Sequence, residues 1–224
     1  MKKVMIEHEI EYFLDKKKID YPDSIEFMEK KIEDIHKNNC KEFLWFLEHD
    51  NIYTAGTSAK QKDLINSNKF KVYKSSRGGQ YTYHGPGQRV VYLMLNLRKK
   101  GYDIRKFISL IEEWIIKSLK DIDVNAVNDK NHVGIWIKDK NSLKKISSIG
   151  LRVRKGITFH GISINLNPNL ENFKGINPCG NDPKDVTSLE EIGLKNKIKK
   201  FDQVLIKNFS TVFNVKLKSK KTLK

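Results

Sequence analysis

The sequence predicts an α+β domain: a mixed, mostly antiparallel sheet packed with helices. Three observations predict it. Helix-like and strand-like stretches are interspersed without strict alternation. Residues 132–166 hold consecutive strand patterns with no crossover helix, which disfavours a doubly wound parallel sheet. The helical stretches each carry one apolar face, so each must cover a sheet or another helix.

The first helix is expected from about Ser24 to Lys37, with Ile25, Met28, Ile32 and Ile35 at helical spacing. Asp23 or Ser24 suits its start and Asn38-Asn39 its stop. Phe43 to Leu47 is a continuous apolar run and reads as a buried strand. Asn51 to Ser58 reads as a loop. Phe70 to Lys74 reads as a strand that enters a glycine-rich loop, Arg77 to Gln88. Val90 to Leu97 resumes as a strand.

Asp103 can cap a helix whose apolar face is Ile104, Phe107, Ile108, Ile111, Trp114, Ile115 and Leu119. His132 to Lys138 alternates as a strand. Lys145 to Val153 and Ile157 to Leu166 read as a hairpin around Arg154-Lys155-Gly156. Ile198, Phe201, Val204, Leu205, Phe209 and Val212 mark a last amphipathic helix. One domain is therefore expected over residues 1–215, followed by a solvated lysine-rich tail at 216–224.

With 224 residues the chain can bury a sizeable core. Its 38% hydrophobic and 31% charged residues fit a globular protein rather than a disordered one. The longest apolar runs are far too short to span a membrane. Glu7, Glu9 and Glu11 interrupt the stretch where a secretory signal would be apolar, so a cytoplasmic location is expected. The two cysteines, Cys40 and Cys179, make no disulfide framework and no Cys-x-x-Cys zinc motif. The net charge of +16 admits three readings: nucleic-acid binding, docking of acidic partners, or lysine on every solvated face.

Three groups of residues could carry chemistry. Consecutive glycines in Arg77 to Gln88 let backbone approach a ligand closely. The loop lacks the Gly-Lys-Ser/Thr of a phosphate-binding loop and leads into a strand, unlike a dinucleotide fingerprint. Cys179 follows Pro178 and precedes Gly180, a setting that can present sulfur at a loop tip, whereas Cys40 reads as structural. A cysteine nucleophile needs a cation nearby to favour its thiolate. Lys144 and Lys145 head a strand, and only one of two strand neighbours can enter a site. His84 and His160, each before a glycine, are possible acids, bases or orienting groups. Their irregular spacing and the lack of a nearby acidic ligand argue against a metal site.

Together these segments resemble the lipoyl(octanoyl) transferases of lipoate synthesis. Arg77-Gly78-Gly79-Gln80-x-Thr82-Tyr83-His84-Gly85-Pro86-Gly87-Gln88 is similar to that family's signature. So are Lys145-Ile146-x-x-Ile149-Gly150-Leu151-Arg152-Val153, then Gly156-Ile157-Thr158-Phe159-His160-Gly161, and Ile176-Asn177-Pro178-Cys179-Gly180 with Val186-Thr187-Ser188-Leu189 behind it. The likeness runs from about Phe43 to Leu189. Arg89 stands where an apolar residue is usual, and Leu93 where a proline is common.

The resemblance implies a biotin/lipoate protein ligase-like fold and an acyltransferase without metal, ATP or other cofactor. It implies octanoyl-acyl carrier protein as donor. The implied acceptors are lipoyl domains of 2-oxo acid dehydrogenase E2 subunits and the glycine-cleavage H protein. It maps the nucleophile onto Cys179 and the lysine that activates it onto Lys145. Acyl binding maps onto Arg77, Gly78, Gly79, Gln80, Tyr81, Thr82, Tyr83 and His84, onto Ser148, Ile149 and Gly150, and onto Gly161, Ile162 and Ser163, with His160 in support. A cytoplasmic monomer acting on neither membrane nor nucleic acid is expected. Two rivals remain: an ATP-dependent lipoate–protein ligase of the same superfamily, which needs no cysteine after Asn-Pro, and a basic nucleic-acid-binding module.

Overall fold

The computed structural model describes residues 8–129, 132–139, 142–178 and 182–223. Strand β1 (Glu9–Lys18) and helix α1 (Tyr21–His36) open the chain. Strands β2 (Phe43–Glu48), β3 (Ile52–Ala55), β4 (Val72–Lys74), β5 (Tyr81–His84) and β6 (Gln88–Met94) follow. Then come α2 (Leu97–Lys100), α3 (Ile104–Lys120), β7 (Ala126–Asn128), β8 (Ile135–Asp139), β9 (Ser142–Arg154) and β10 (Ile157–Asn165). Helix α4 (Ile198–Phe213) and strand β11 (Lys216–Ser219) close the sequence of elements.

Among the described residues the strands form an eight-stranded sheet, in the order β11-β1-β2-β6-β10-β9-β8-β7, and a small sheet β4-β3-β5. In the large sheet β1 runs parallel to both its neighbours, and every other pair is antiparallel. The expected mostly antiparallel sheet is what forms.

Helices cover both faces of the large sheet, which explains why β2 is a continuous apolar run and not an alternating one. Its Phe43, Trp45 and Leu47 pack with Met28, Ile32 and Ile35 of α1. Its Leu44 and Phe46 face the other way, into a larger core with Phe107, Ile111 and Trp114 of α3 and Phe201, Leu205 and Phe209 of α4. Trp114 is fully buried, its indole N–H donates to the Leu205 carbonyl at 2.8 Å, and its ring meets Phe209 edge-on at 5.0 Å. Each such side chain contributes about 2–3 kcal/mol of burial. No helix among the described residues is long and apolar enough to cross a membrane.

Most local expectations match. Asp103 caps α3, accepting from the Lys106 N–H at 2.8 Å. Asn38, at φ 59°, stands in the left-handed region just past α1. The β9–β10 hairpin turns on Lys155 and Gly156, at φ 54° and 80°, a two-residue turn of the type that matches strand twist.

Four expectations need correction. Helix α1 starts three residues before Ser24, because Asp20 and Pro22 open it. Strand β1 was not foreseen: its glutamates and lysines hide the alternation of Ile10, Tyr12 and Leu14, which face the larger core. The Asn51 to Ser58 loop contains β3, and the glycine-rich loop contains β5. The lysine-rich end is not wholly a free tail. Lys216 to Ser219 pairs in parallel with Glu9 to Tyr12, leaving its lysines in solvent while its backbone joins the sheet.

Candidate active site

A cleft enclosing about 470 Å³, counting its open mouth, lies where the small sheet meets β9 and β10. Three separated stretches converge on it: Arg77, Gly78, Gly79, Thr82 and His84; then Ser148, Ile149 and Gly150; then His160, Gly161, Ile162 and Ser163. Register explains the convergence. Gly150 faces Gly161 and Ser148 faces Ser163 across the β9–β10 ladder. Residues opposite one another share a face, so two glycines leave the floor of the cleft open. Gly161 has a second reason to be glycine. A Cβ there would collide with the Val91 carbonyl oxygen on β6.

Strand alternation divides the first stretch. Thr82 and His84 enter the cleft, while Tyr81 and Tyr83 point into a separate core with Tyr53, Phe173 and Ile176. Tyr83 donates to Asn51 Oδ1 at 2.6 Å and meets the Phe173 ring at 5.0 Å. Of the expected acyl-binding residues, Gln80, Tyr81 and Tyr83 therefore do not line the cleft. Tyr21, Val90 and Tyr92 line it and were missed. Tyr21 precedes the helix expected from Ser24, and Val90 and Tyr92 sit inside the apolar strand expected from Val90.

Arg77 shapes the loop. Its buried guanidinium donates to the Thr54 carbonyl and hydroxyl at 2.7 and 2.8 Å, to the Gly78 carbonyl at 2.9 Å and to the Gln80 carbonyl at 2.9 Å. These bonds fold the glycine loop back onto β3. The Gly78 N–H then donates to the Leu151 carbonyl at 3.2 Å, tying the loop to β9.

Three buried histidines border the site, and their partners fix two tautomers. His84 Nδ1 lies 2.6 Å from Gln88 Oε1. The Gln88 amide nitrogen donates to the Tyr83 carbonyl and to Asn165 Oδ1, and Asn165 Nδ2 donates to the Thr187 carbonyl. Gln88 Oε1 is thus an acceptor, His84 carries its proton on Nδ1, and Nε2 is left as an acceptor. His49 Nδ1 meets the Ile19 carbonyl at 2.6 Å, so its Nε2 accepts from the Tyr92 hydroxyl at 2.7 Å.

Burial first, then His49 and Arg77, holds the pKa of His84 down to about 3. Burial, then Arg77 and Arg152, does the same to His160, also to about 3. Burial lowers that of His49 to about 4. All three are neutral at pH 7, so none carries a proton to give as an imidazolium acid. His160 also sits at φ 62° inside a strand, a strained conformation for a non-glycine residue, and its Nε2 lies 3.2 Å from the Ser76 hydroxyl.

Lys145 is buried, whereas Lys144 is partly exposed and pairs with Asp139 at 3.0 Å. A bulge separates Lys145 from the residues after it. Ile135 pairs with Ser147 but Trp136 pairs with Lys145, so β9 spends two steps on one step of β8. Regular alternation would put Lys145 with Ser147 and Ile149, toward the larger core. The extra residue shifts Lys145 to the face of Ser148 and Gly150, the face of the cleft. Its ammonium stands 4.7 Å from the Trp136 ring centroid.

Downstream, Val186 bridges to Lys145, and the Thr187 N–H donates to the Lys145 carbonyl at 3.0 Å. Upstream, Ile176 bridges to Leu64, and the Asn177 N–H donates to the Asp63 carbonyl at 2.8 Å. Cys179 and Gly180, between these anchors, lie outside the described residues. Cys40 is half-buried beside the α1 core. Among the described residues, no group of three His, Cys, Asp or Glu side chains could hold a metal ion.

Comparison with known proteins places this architecture. The family model for the lipoyl protein ligase A/B catalytic domain matches residues 20–210. A Bartonella henselae protein named octanoyltransferase is 44% identical over 204 residues, covering 87% of this chain and 83% of its own. A Zymomonas mobilis protein of the same name is 46% identical over 190 residues, covering 85% and 88%. Among solved structures, a lipoate-protein ligase A bound with ATP superposes with a TM-score of 0.72 at 17% identity, covering 95% of this chain and 88% of that one, a likeness of fold. By sequence along most of its length, the chain belongs to the lipoyl protein ligase A/B catalytic domain family.

Proposed function

We propose that this protein is an octanoyltransferase that carries the acyl group on Cys179. The donor is octanoyl-acyl carrier protein, and the acceptor is the lipoyl-domain lysine of lipoate-dependent enzymes. The observation that carries the reading is the cleft. Its glycine-rich and serine-lined walls come from the same three stretches that the motif assigns to acyl binding. The relatives named octanoyltransferase, at 44% and 46% identity, support the same reaction.

In the first step the Cys179 thiolate attacks the carbonyl carbon of the donor thioester. A new C–S bond forms, the old one breaks, and the carrier's thiol leaves with a proton. In the second step the acceptor amine attacks the acyl-Cys179 carbonyl. A C–N bond forms, the C–S bond breaks, and a proton returns to sulfur. Lys145 supplies the positive charge that favours thiolate in both steps. Arg77 holds the wall against which the chain lies. His84 offers an acceptor nitrogen, and His160 a second neutral ring. The energy of the thioester drives the reaction, so neither ATP nor metal takes part. A cytoplasmic monomer completes this reading.

Intact-mass measurement after mixing with octanoyl-acyl carrier protein tests it. One octanoyl group should appear on the wild type and none on Cys179→Ala. Transfer that survives Cys179→Ala and depends on ATP would make the protein a ligase instead.

A further inference from the structure

A second concavity, of about 900 Å³ of open space, lies between α2, the start of α3 and the free end of β9. Leu97, Tyr102, Ile104, Leu151 and Val153 give it an apolar centre, and Arg98 and Arg152 flank it. Ile104 and Val153 are 39% and 38% exposed, two of the few large apolar side chains so open to water.

The charges around it are unlike those elsewhere on the chain. Only six of the 43 basic residues are arginine. Arg77 is consumed by the glycine loop, Arg89 pairs with Asp202 at 2.8 Å, and Arg154 stands 3.6 Å from Glu29. The other three, Arg98, Arg105 and Arg152, have no carboxylate partner among the described residues, and two of them, Arg98 and Arg152, line this groove. Arg105 and Lys106 also occupy the first turn of α3, which holds no acid. Cations there oppose the helix dipole and cost stability. Arginine presents a planar fork that takes carboxylates two bonds at a time.

The groove adjoins the cleft. Beyond Ser147, strand β9 has no partner on β8, and its bare edge is met by the glycine loop through the Gly78–Leu151 bond. Gly150 lines the cleft and Leu151 lines the groove.

We infer that this groove docks an acidic amphipathic helix of the protein that delivers the acyl group. Its apolar side chains lie on Leu151, Val153 and Ile104, and its carboxylates bind Arg98 and Arg152. This is the helix-in-groove mode of recognition with charge complementarity around it. The inference rests on the transfer reaction proposed above and names where its donor binds.

The test is the exposed pair Arg98→Glu with Val153→Asp. It should raise KM for octanoyl-acyl carrier protein at least tenfold. It should leave KM for octanoyl-pantetheine, which has no protein part, unchanged. Fluorescence anisotropy with labelled carrier protein should show the same loss of affinity without turnover, and a shallower dependence on salt. An unchanged carrier KM and affinity overturns the inference, and so does a rise confined to the acceptor domain. Failure of wild-type Cys179 to take octanoyl from either donor sinks the transfer reaction itself, which the anisotropy result reports separately.

Discussion

Gly134 stands directly against Lys145. A Cβ added at Gly134 would lie 2.6 Å from Lys145 Cε and 3.3 Å from its Nζ, and Gly134 itself has φ 133°. The lysine side chain therefore runs through space that only a glycine leaves free, with the Trp136 ring on another side.

A Cβ at Gly134 would also lie 2.7 Å from the Ser147 carbonyl oxygen, so Lys145→Met is the cleaner test of the lysine. It should lower acylation of Cys179 at least about 100-fold, the scale of a lost positioned group, while the fold persists. In that variant the pH profile of Cys179 alkylation by iodoacetamide should move to higher pH than in the wild type.

Substitution at Gly161 should break the sheet instead. Gly161→Ala drives a methyl group into the Val91 carbonyl in the middle of the β6–β10 ladder. We expect a loss of about 3 kcal/mol in urea unfolding, the upper range for overpacking. Gly101→Ala meets no atom within 4 Å and should cost only about 1–2 kcal/mol, from its φ of 63°.

The buried histidines set a pH dependence. Their folded pKa values, about 4 for His49 and about 3 for His84 and His160, lie below the ordinary 6.5. Above pH 6.5 folded and unfolded chains are alike in these groups. Below it the unfolded chain takes up protons that the folded chain refuses, so stability falls from pH 6.5 toward pH 4. Each histidine should contribute a slope of about 1.4 kcal/mol per pH unit in that window. In His49→Gln the slope of unfolding free energy between pH 6 and 4.5 should flatten by about that amount.

Gln88 should control which nitrogen of His84 holds the proton. Gln88→Met removes the acceptor at Nδ1. Nitrogen NMR should show a single Nδ1–H tautomer in the wild type and a mixture in the variant. Stability should fall by about 1–3 kcal/mol, since a buried donor is left unsatisfied.

Much of this was legible in the residues alone, and the misses share a cause. Helical spacing found α3 and α4 because one apolar face repeats over four turns. The continuous run found β2 because both its faces are covered. Strands β3 and β5 are four residues long and flanked by glycine, so turn chemistry masked them. The motif gathered the cleft residues but not their directions. Tyr83 faces away because side chains alternate, and Lys145 faces the cleft because a bulge interrupts that alternation. Neither Tyr92 nor His49 carried a signal, since the bond between them spans 43 positions of chain.

Strand β11 has a consequence for how the molecule is finished. Its four residues zip onto β1, the first strand among the described residues, and emerge from the ribosome more than 200 residues later. Until then β1 offers its peptide groups to any neighbouring chain, an invitation to edge-to-edge aggregation. The late-arriving Lys-Leu-Lys-Ser segment seals that border and leaves lysines outward as a repellent rim.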